Sequence, residues 1–179
     1  MAVQVISGTT SGSMSFTEVA TLAFNTSSQF QVQVPGGALA FTFANATGGA
    51  LNVDTMYAHQ YTLASTTQAI DLFGGSLLSP AGNACVFARV RLFHVDVVTT
   101  GAGKLIEVYG SASNAPAWLP LVATYLWATP SGGSITLIDP SEITTAGYLV
   151  STSAKAITFN SASNTVTFNV LIVGNSSAS

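Results

Sequence analysis

The sequence predicts an all-β protein, and three observations support this prediction. Several short segments alternate apolar and polar residues with a period of two, which is the pattern of a half-buried strand. Clusters of glycine and proline separate these segments, as tight reversals of the chain require. Helical periodicity is weak throughout the 179 residues. Many short strands joined by such turns are typical of a β-sandwich, a barrel or a jelly roll.

The predicted strands follow one another along most of the chain. Alternation is clearest in residues 29–34 and 165–170, where every second residue is valine or phenylalanine. The longest β-like run extends from Cys85 to Val98. In the stretch from Ala50 to Ala64 the strand pattern weakens, and this is the one place where a short helix is predicted as an alternative. Further strand candidates, in chain order, are residues 40–43, 104–109, 124–127, 134–138 and 156–159.

The domain organisation follows from the distribution of large apolar residues. Residues 1–28 are rich in serine, threonine and glycine, and we expect them to form an extended N-terminal arm. Residues 29–179 are predicted to form one β-sandwich domain, with a possible subdivision near residues 50–65. The start of the chain has no basic segment followed by an apolar one, so no signal peptide is predicted. No apolar run is long enough for a membrane-spanning helix.

Charged residues are unusually scarce in this sequence. Four Lys and Arg and seven Asp and Glu give a net charge of −3 at pH 7, whereas soluble domains usually contain about a quarter charged residues. The polar surface must therefore consist of uncharged residues, which suits a protein packed against other copies or against another protein. The four basic residues form no cluster that would neutralise phosphates, so nucleic acid is not an expected partner.

No residue pattern predicts an enzyme, a cofactor or a metal site. His94 and Asp96 share a predicted strand face, where they could orient an imidazole for catalysis, although a surface or interface pair explains them more simply. Asp139 and Glu142 could share a divalent cation, but a capped turn is the simpler interpretation. The one cysteine, Cys85, lies among apolar residues, so we expect a small buried side chain rather than a reactive thiol.

Two arginines are candidate interface residues. Arg89 and Arg91 lie two apart in the longest β-like run, so a regular strand would place both charges on one face. Like charges do not share a protein core without compensation. They are predicted either to point into solvent or to pair with carboxylates of this or another subunit. The carboxylates considered for such a pair are Asp71, Asp96 and Glu107.

Three aromatic residues complete the set of candidate interface residues. Tyr125 and Trp127 alternate onto one predicted strand face, and Trp118 lies nearby in the sequence. Tryptophan and tyrosine are enriched at protein interfaces because they combine a large apolar surface with a polar group. The sequence leaves three roles open for these side chains: core packing, a protein interface, or stacking on sugar rings.

Four segments between residues 68 and 174 share a pattern with a known group of proteins. They are an acidic-leucine strand, a long strand with an Arg-Val-Arg sequence, a Gly-Tyr turn, and a final strand that ends in glycine. Their residues are Ala69–Leu72, Phe87–Val95, Gly147–Val150 and Val166–Gly174. In this pattern the chain resembles small virion proteins of tailed bacteriophages, some of which are head decoration or cement proteins.

The resemblance implies a jelly-roll-like antiparallel β-sandwich that is part of a virion. It also implies a capsid cement or decoration protein, which binds the outer surface of the major capsid shell and stabilises it after assembly in the host cytoplasm. The expected partners are the major capsid protein and further copies of the chain, in a dimer or trimer, with neither nucleic acid nor membrane. The alternative is a glycan-binding β-sandwich module of a virion, or another tail or coat component.

Overall fold

The computed structural model describes most of the chain as β-structure. It describes residues 4–11, 13–21, 27–35, 42–45, 52–111, 113–119, 127–139, 147–162 and 164–177, with side chains from Val53 onward except that of Trp127. These residues form sixteen strands and no helix, so the all-β prediction is confirmed. In the same residues no helix is long and apolar enough to cross a membrane.

The strands are numbered in chain order. The first eight are β1 (Gln4–Ser11), β2 (Ser13–Thr21), β3 (Ser27–Pro35), β4 (Thr42–Asn45), β5 (Asn52–Val53), β6 (Thr55–Ala64), β7 (Thr67–Asp71) and β8 (Leu77–Leu78). The other eight are β9 (Ala84–Cys85), β10 (Arg89–Val97), β11 (Leu105–Gly110), β12 (Trp127–Pro130), β13 (Ser134–Ile138), β14 (Tyr148–Leu149), β15 (Ala156–Asn160) and β16 (Thr165–Asn175).

Eight of these strands form two four-stranded antiparallel sheets with the strand order of a jelly roll. Sheet I has the order β13-β10-β16-β6, and sheet II has the order β12-β11-β15-β7. Among these eight strands the chain changes sheet after β6, β7, β10, β12, β13 and β15, so strands of the two sheets alternate along most of the chain. This interleaving distinguishes a jelly roll from a sandwich of simple hairpins. The short strand β14 also pairs with β10, and β8 pairs with β9.

The main core lies between the two sheets. Alternate residues of the strands point into it, as the period of two requires. Phe159 of sheet II packs against Phe93 and Phe168 of sheet I, with ring centroids 6.5 and 5.2 Å apart. Ile106 and Val108 of β11 are fully buried in the same cluster. The period-two pattern therefore predicted the inward residues of β16 correctly, because this strand is regular.

Sheet I is also buried on part of its outer face, the face that points away from sheet II. Met56, Leu92, Leu171 and Val173 alternate with core residues along their strands, and all four are buried. Strands that are covered on both faces contain continuous apolar runs, and residues 170–173 form such a run. The covered end of sheet I is therefore a second apolar layer within the same chain.

A five-stranded sheet with the order β3-β2-β1-β4-β5 precedes the jelly roll in the chain. Strands β1 and β2 form an antiparallel hairpin, β2 pairs with β3, and β4 pairs with β5 in parallel. Within residues 1–28 the described parts are thus strands. The extended arm over residues 1–28 and the division from residue 29 stay predictions, as does a subdivision near residues 50–65.

Two sequence-based assignments need correction. The alternative of a helix between Ala50 and Ala64 is wrong, because β6 occupies residues 55–64. The run from Cys85 to Val98 is two strands rather than one, since residues 86–88 lie between β9 and β10. The strands predicted at residues 104–109, 134–138, 156–159 and 165–170 are confirmed, each to within a few residues. Of the candidate at residues 124–127, only Trp127 lies among the described residues, and it begins β12.

Candidate functional site

The structure brings three of the predicted interface residues together at β14, the short strand beside β10. Arg89 pairs with Leu149 of β14. Arg91 lies at a β-bulge in β10, where the register with β16 shifts between Val90 and Leu92. Trp118 hydrogen-bonds to the same short strand. We call this region the β14 edge of sheet I, and the contacts of its side chains described below are contacts within the chain.

Arg91 is buried at the β14 edge rather than exposed to solvent, with 1% of its surface accessible. A methyl group on Gly147 would lie 3.2 Å from Arg91 Cδ, so the turn before β14 packs directly on this side chain. Burial lowers the pKa of Arg91, and the Asp139 carboxylate opposes this effect. Asp139 Oδ2 in turn accepts the Gly147 N–H at 2.7 Å. The buried charge is thus compensated inside the chain, as a buried ion requires.

The carboxylates that the sequence suggested as partners of the arginines have other partners in this chain. The partners of Asp71, Asp96 and Glu107 are, in order, Lys155, Asn169 and Asn160. Burial alone would raise the pKa of Asp71, but hydrogen bonds from Lys155 and from two backbone N–H groups outweigh it and lower that pKa. The sequence identified the need for a carboxylate near Arg91 but not the right one, because Asp139 is distant in sequence.

Trp118 closes the outer side of β14. Val150 N–H donates to Ala88 O, so the neighbouring Leu149 directs its own backbone groups away from β10, as alternation in an antiparallel ladder requires. The Trp118 indole N–H donates to Leu149 O at 3.3 Å. Its ring packs edge-on against Phe93 and lies 5.2 Å from the Tyr148 ring. Of the three roles left open for Trp118, core packing therefore describes the contacts seen here.

The other two aromatic candidates are not brought to this edge by any described contact. Tyr125 lies outside the described residues. Trp127 is described only by its backbone, which pairs with Val108 of sheet II.

His94 and Asp96 share the outer face of sheet I, as predicted, but they do not bond to each other. His94 Nδ1 is 2.7 Å from Thr136 Oγ1, whereas Asp96 Oδ2 accepts a hydrogen bond from Asn169. His94 is 1% exposed, and its Nε2 has no hydrogen-bond partner among the described residues. Burial lowers the pKa of His94, and Asp96 opposes this effect only in part. The geometry is that of a buried neutral histidine.

The opposite edge of sheet I is strand β6, and it is open. The Ser65 N–H donates to Asn164 O in register with the β6–β16 ladder. Because hydrogen-bonded and non-hydrogen-bonded pairs alternate in such a ladder, the odd-numbered residues of β6 bond to β16. The even-numbered residues direct their backbone N–H and C=O groups outward, and no described strand pairs with that side. We call Ala58–Ala64 the β6 edge.

A row of aromatic rings follows the inward side of β6. The Tyr57 and Tyr61 hydroxyls are hydrogen-bonded at 2.5 Å, and burial together with this bond raises the pKa of Tyr57. The exposed His59 ring lies between them in sequence, 6.0 Å from Tyr57 and 4.4 Å from Tyr61. The sequence analysis missed this row. The available signal was the spacing of Tyr57, His59, Tyr61 and Leu63 at every second residue.

The outer side of β6 is an uncharged polar surface. Gln60 Nε2 donates to Asn169 Oδ1 at 2.9 Å, and Thr62 and Thr167 join their hydroxyls at 2.9 Å. Asn169 continues the row to Asp96 on β10. The outer face of sheet I therefore changes from a covered apolar end to an open end made of amides and hydroxyls.

Charged side chains are few on the described surface, and each of them is at least partly buried. All four basic residues and five of the seven acidic residues have described side chains, and none of these nine is fully exposed. Most bond within the chain, for example Lys104 with Asn164 and Asp54 with Ser176. The exposed residues are mainly serine, threonine, alanine and glycine.

The remaining chemical candidates have structural roles where they are described. Asp139 caps the Gly147 N–H, whereas Glu142 lies outside the described residues. Within the described part of the chain, no group of three or more His, Cys, Asp or Glu residues could hold a metal ion. Cys85 is buried, as predicted, and its thiol donates to Met56 O at 3.1 Å.

Comparison with known proteins adds no relative. No family model, no curated protein and no solved structure matches this chain.

Proposed function

We propose that this chain is a structural protein of a bacteriophage virion, a cement or decoration protein that binds the outer surface of the capsid shell. Its partners are the major capsid protein and further copies of itself. The observation that carries the proposal is the scarcity of charge on the surface: of the nine described charged residues, one is buried and eight are only partly exposed. The resemblance in residues 68–174 supplies the kind of particle.

An uncharged polar surface favours contact with other proteins for a physical reason. Charged groups must lose their hydration when a partner covers them, and this desolvation opposes binding unless each charge finds a counter-ion. Hydroxyl and amide groups lose less and can re-form their hydrogen bonds across an interface. Among the described residues, the exposed large apolar side chains are only Leu78, Val98 and Leu149. The surface therefore has few apolar groups that would cause nonspecific aggregation.

The jelly roll supports the same proposal through its shape. Eight strands form its two sheets, and jelly rolls are frequent among capsid and lectin domains, although a fold alone does not determine a function. A capsid shell offers many identical sites, so weak contacts of each copy add by multivalency when copies also contact one another. The mechanism is non-covalent clamping of neighbouring shell subunits.

The test is binding of the purified full chain to shells from which it has been removed, measured by co-sedimentation over a salt series. We expect near-stoichiometric binding whose affinity changes little up to about 0.5 M salt, because charge screening has few charges to act on. Mass spectrometry of intact particles should find the chain in fixed proportion to the major capsid protein. Absence of the chain from the particle, or binding that is lost at high salt, would contradict the proposal.

A glycan-binding module stays the second candidate function. The observation that favours it is the exposed His59 ring within the row formed with Tyr57 and Tyr61, since aromatic rings present flat apolar surfaces with polar edges. His59→Ala should then abolish glycan binding in an array experiment and leave the thermal midpoint unchanged. Retained glycan binding in this variant, or none in the original chain, would exclude this row as the site.

A further inference from the structure

The β6 edge lacks the devices that usually protect an exposed edge strand. Natural edges are blocked by lysines, prolines, bulges, short length or a covering segment. Residues 58–64 contain no charged residue and no proline, and their pairing with β16 is continuous from Thr55 to Ala64. His59, Gln60, Thr62 and Ala64 are all exposed. Only the start of this strand is occupied, where Met56 O accepts the Cys85 thiol.

The other edge strands of the two sheets are short, and each is covered or interrupted at one position or at one end. On β7, Ala69 O accepts the side-chain amide of Gln68 at 2.7 Å, and the strand ends at the Asp71–Lys155 ion pair. Strand β12 ends at Pro130, which has no N–H to offer a partner. The contrast isolates β6 as the one long strand of the described jelly roll with a bare edge.

On the β13 and β14 side of sheet I, aromatic side chains cover part of the edge. The Tyr148 hydroxyl lies 3.5 Å from Ile138 O, and the Trp118 indole donates to Leu149 O. Because these two carbonyls point away from β10, the aromatic groups occupy the positions that a further strand would need. Among the described edges of sheet I, β6 is therefore the long uncovered one, whereas β13 is half as long and is covered at its Ile138 end.

We propose that β6 pairs antiparallel with β6 of a second copy of this chain, which joins the two copies of sheet I into one continuous sheet. This inference deepens the proposed function by naming the surface through which copies contact one another. A two-fold axis beside Tyr61 brings Gln60 opposite Thr62 of the partner subunit and Ala58 opposite Ala64 of the partner subunit. All four positions are even-numbered, so their outward N–H and C=O groups bond across the axis.

A second copy is the occupant because the edge is complementary to itself. A two-fold contact places a surface against its own duplicate, so any charge near the axis would lie close to its own copy on the partner subunit. The β6 edge carries no Asp, Glu, Lys or Arg. The axis also brings Tyr61 opposite Tyr61 of the partner subunit on the inward side, and cross-strand aromatic pairs stabilise antiparallel sheets. On the outward side, amide meets hydroxyl.

Sedimentation velocity of the full chain over a concentration series tests the pairing. The test variant is Thr62→Lys, which adds a charge beside its own duplicate without entering the core, because Thr62 is exposed. The matched control is Ser134→Lys, which adds the same charge to an exposed position on β13, at the opposite edge of the same sheet face. Circular dichroism and the thermal midpoint confirm that both variants fold.

We expect a dimer for the unchanged chain and for Ser134→Lys, and a severalfold larger dissociation constant for Thr62→Lys, since the two added lysines lie diagonally across the two-fold axis, close enough for like charges to repel. A chain that stays monomeric up to about 0.5 mM, or a dimer that both lysines weaken equally or neither weakens, would overturn the pairing. Shell binding is measured separately: a monomer that binds shells refutes only the pairing, and a β6 dimer absent from particles refutes only the proposed function.

Discussion

The two edges of sheet I differ in what their side chains do. At the β14 edge, Trp118 covers the outward carbonyl of Leu149, and the buried Arg91 is compensated by Asp139. At the β6 edge, the backbone groups of Gln60 and Thr62 face outward without a partner strand. Arginine and tryptophan side chains thus close the β14 edge. The edge made of ordinary uncharged residues is the one left for a partner.

This difference shows why distinctive residues are uncertain guides to an interface. Arg89, Arg91 and Trp118 attract attention because arginine and tryptophan dominate binding hot spots. The same properties, a strong hydrogen-bonding group on a large side chain, also serve to satisfy buried backbone and to seal an edge. If the comparison is right, substitutions at the closed edge change stability, and substitutions at the open edge change association.

The largest effect on stability is expected for Gly174→Ala, where β16 passes closest to β10. A Cβ at this position would lie 2.0 Å from Arg89 O, so the backbone at the bulge must move. Overpacking of this kind costs about 3 kcal/mol or more, measured by urea unfolding. Gly132→Ala is the control: its Cβ meets no atom within 4 Å, so this variant has only the strain of an alanine at a φ of 70°, about 1 kcal/mol. Equal loss in both variants would show that the close approach at the bulge does not matter.

Asp139→Ala should have the next largest effect. It removes the charge that compensates buried Arg91 and the acceptor of the Gly147 N–H, and leaving a buried charge uncompensated costs about 3 kcal/mol. The control Asp54→Ala also removes an acceptor of a backbone N–H, that of Ser176, but no buried guanidinium faces it. We expect about 1 kcal/mol for this control. A smaller loss for Asp139→Ala than for Asp54→Ala would contradict the compensation.

His94 should make the folded protein sensitive to acid. Burial lowers its pKa in the folded state, so the unfolded chain binds the proton first as the pH falls below the ordinary histidine pKa of about 6.5. The free energy of unfolding is then expected to decrease toward low pH by at most about 1.4 kcal/mol per pH unit. Unfolding titrations at several pH values should show this slope, and His94→Gln should reduce it. An unchanged slope in His94→Gln would assign the sensitivity elsewhere.

Trp118→Phe should have the smallest effect of this series. It keeps an aromatic ring against Phe93 and Tyr148 but removes the hydrogen bond to Leu149 O. Loss of one such bond costs about 1 kcal/mol. If the indole seals the edge, the variant should also self-associate more at high concentration, measured by light scattering. A variant as stable as the original chain and no more associated would show that the indole is not needed there.

Much of the fold could be predicted because alternation reports burial directly. Residues 156–159 and 165–170 lie in regular strands with one face in the core, so their period of two matches their exposure. The alternation of apolar and polar residues did not predict strand β6, because its inward face includes tyrosine and an exposed histidine, which are not typical apolar residues. The Arg89–Val98 segment misled for another reason: a bulge at Arg91 breaks the alternation, and nothing in a single sequence marks a bulge.

The candidate site could be predicted only in part. The sequence correctly required that Arg91 be either exposed or compensated, because this follows from the cost of burying a charge. The identity of the compensating carboxylate depends on which strands become neighbours, and β13 brings Asp139 beside β10 from 48 residues away, the difference between positions 139 and 91. The open edge could not be predicted at all, since it is defined by the absence of a neighbouring strand.

Residue-resolved hydrogen exchange of the full chain, at high concentration and after dilution, tests most directly whether one edge holds the fold and the other binds a partner. The amides of His59 and Tyr61 face β16 and should be protected at both concentrations. The amides of Gln60 and Thr62 face outward and should be protected only at high concentration, while exchange at Leu149 stays the same. Rapid exchange of Gln60 and Thr62 at both concentrations, in a sample that is oligomeric, would contradict the account.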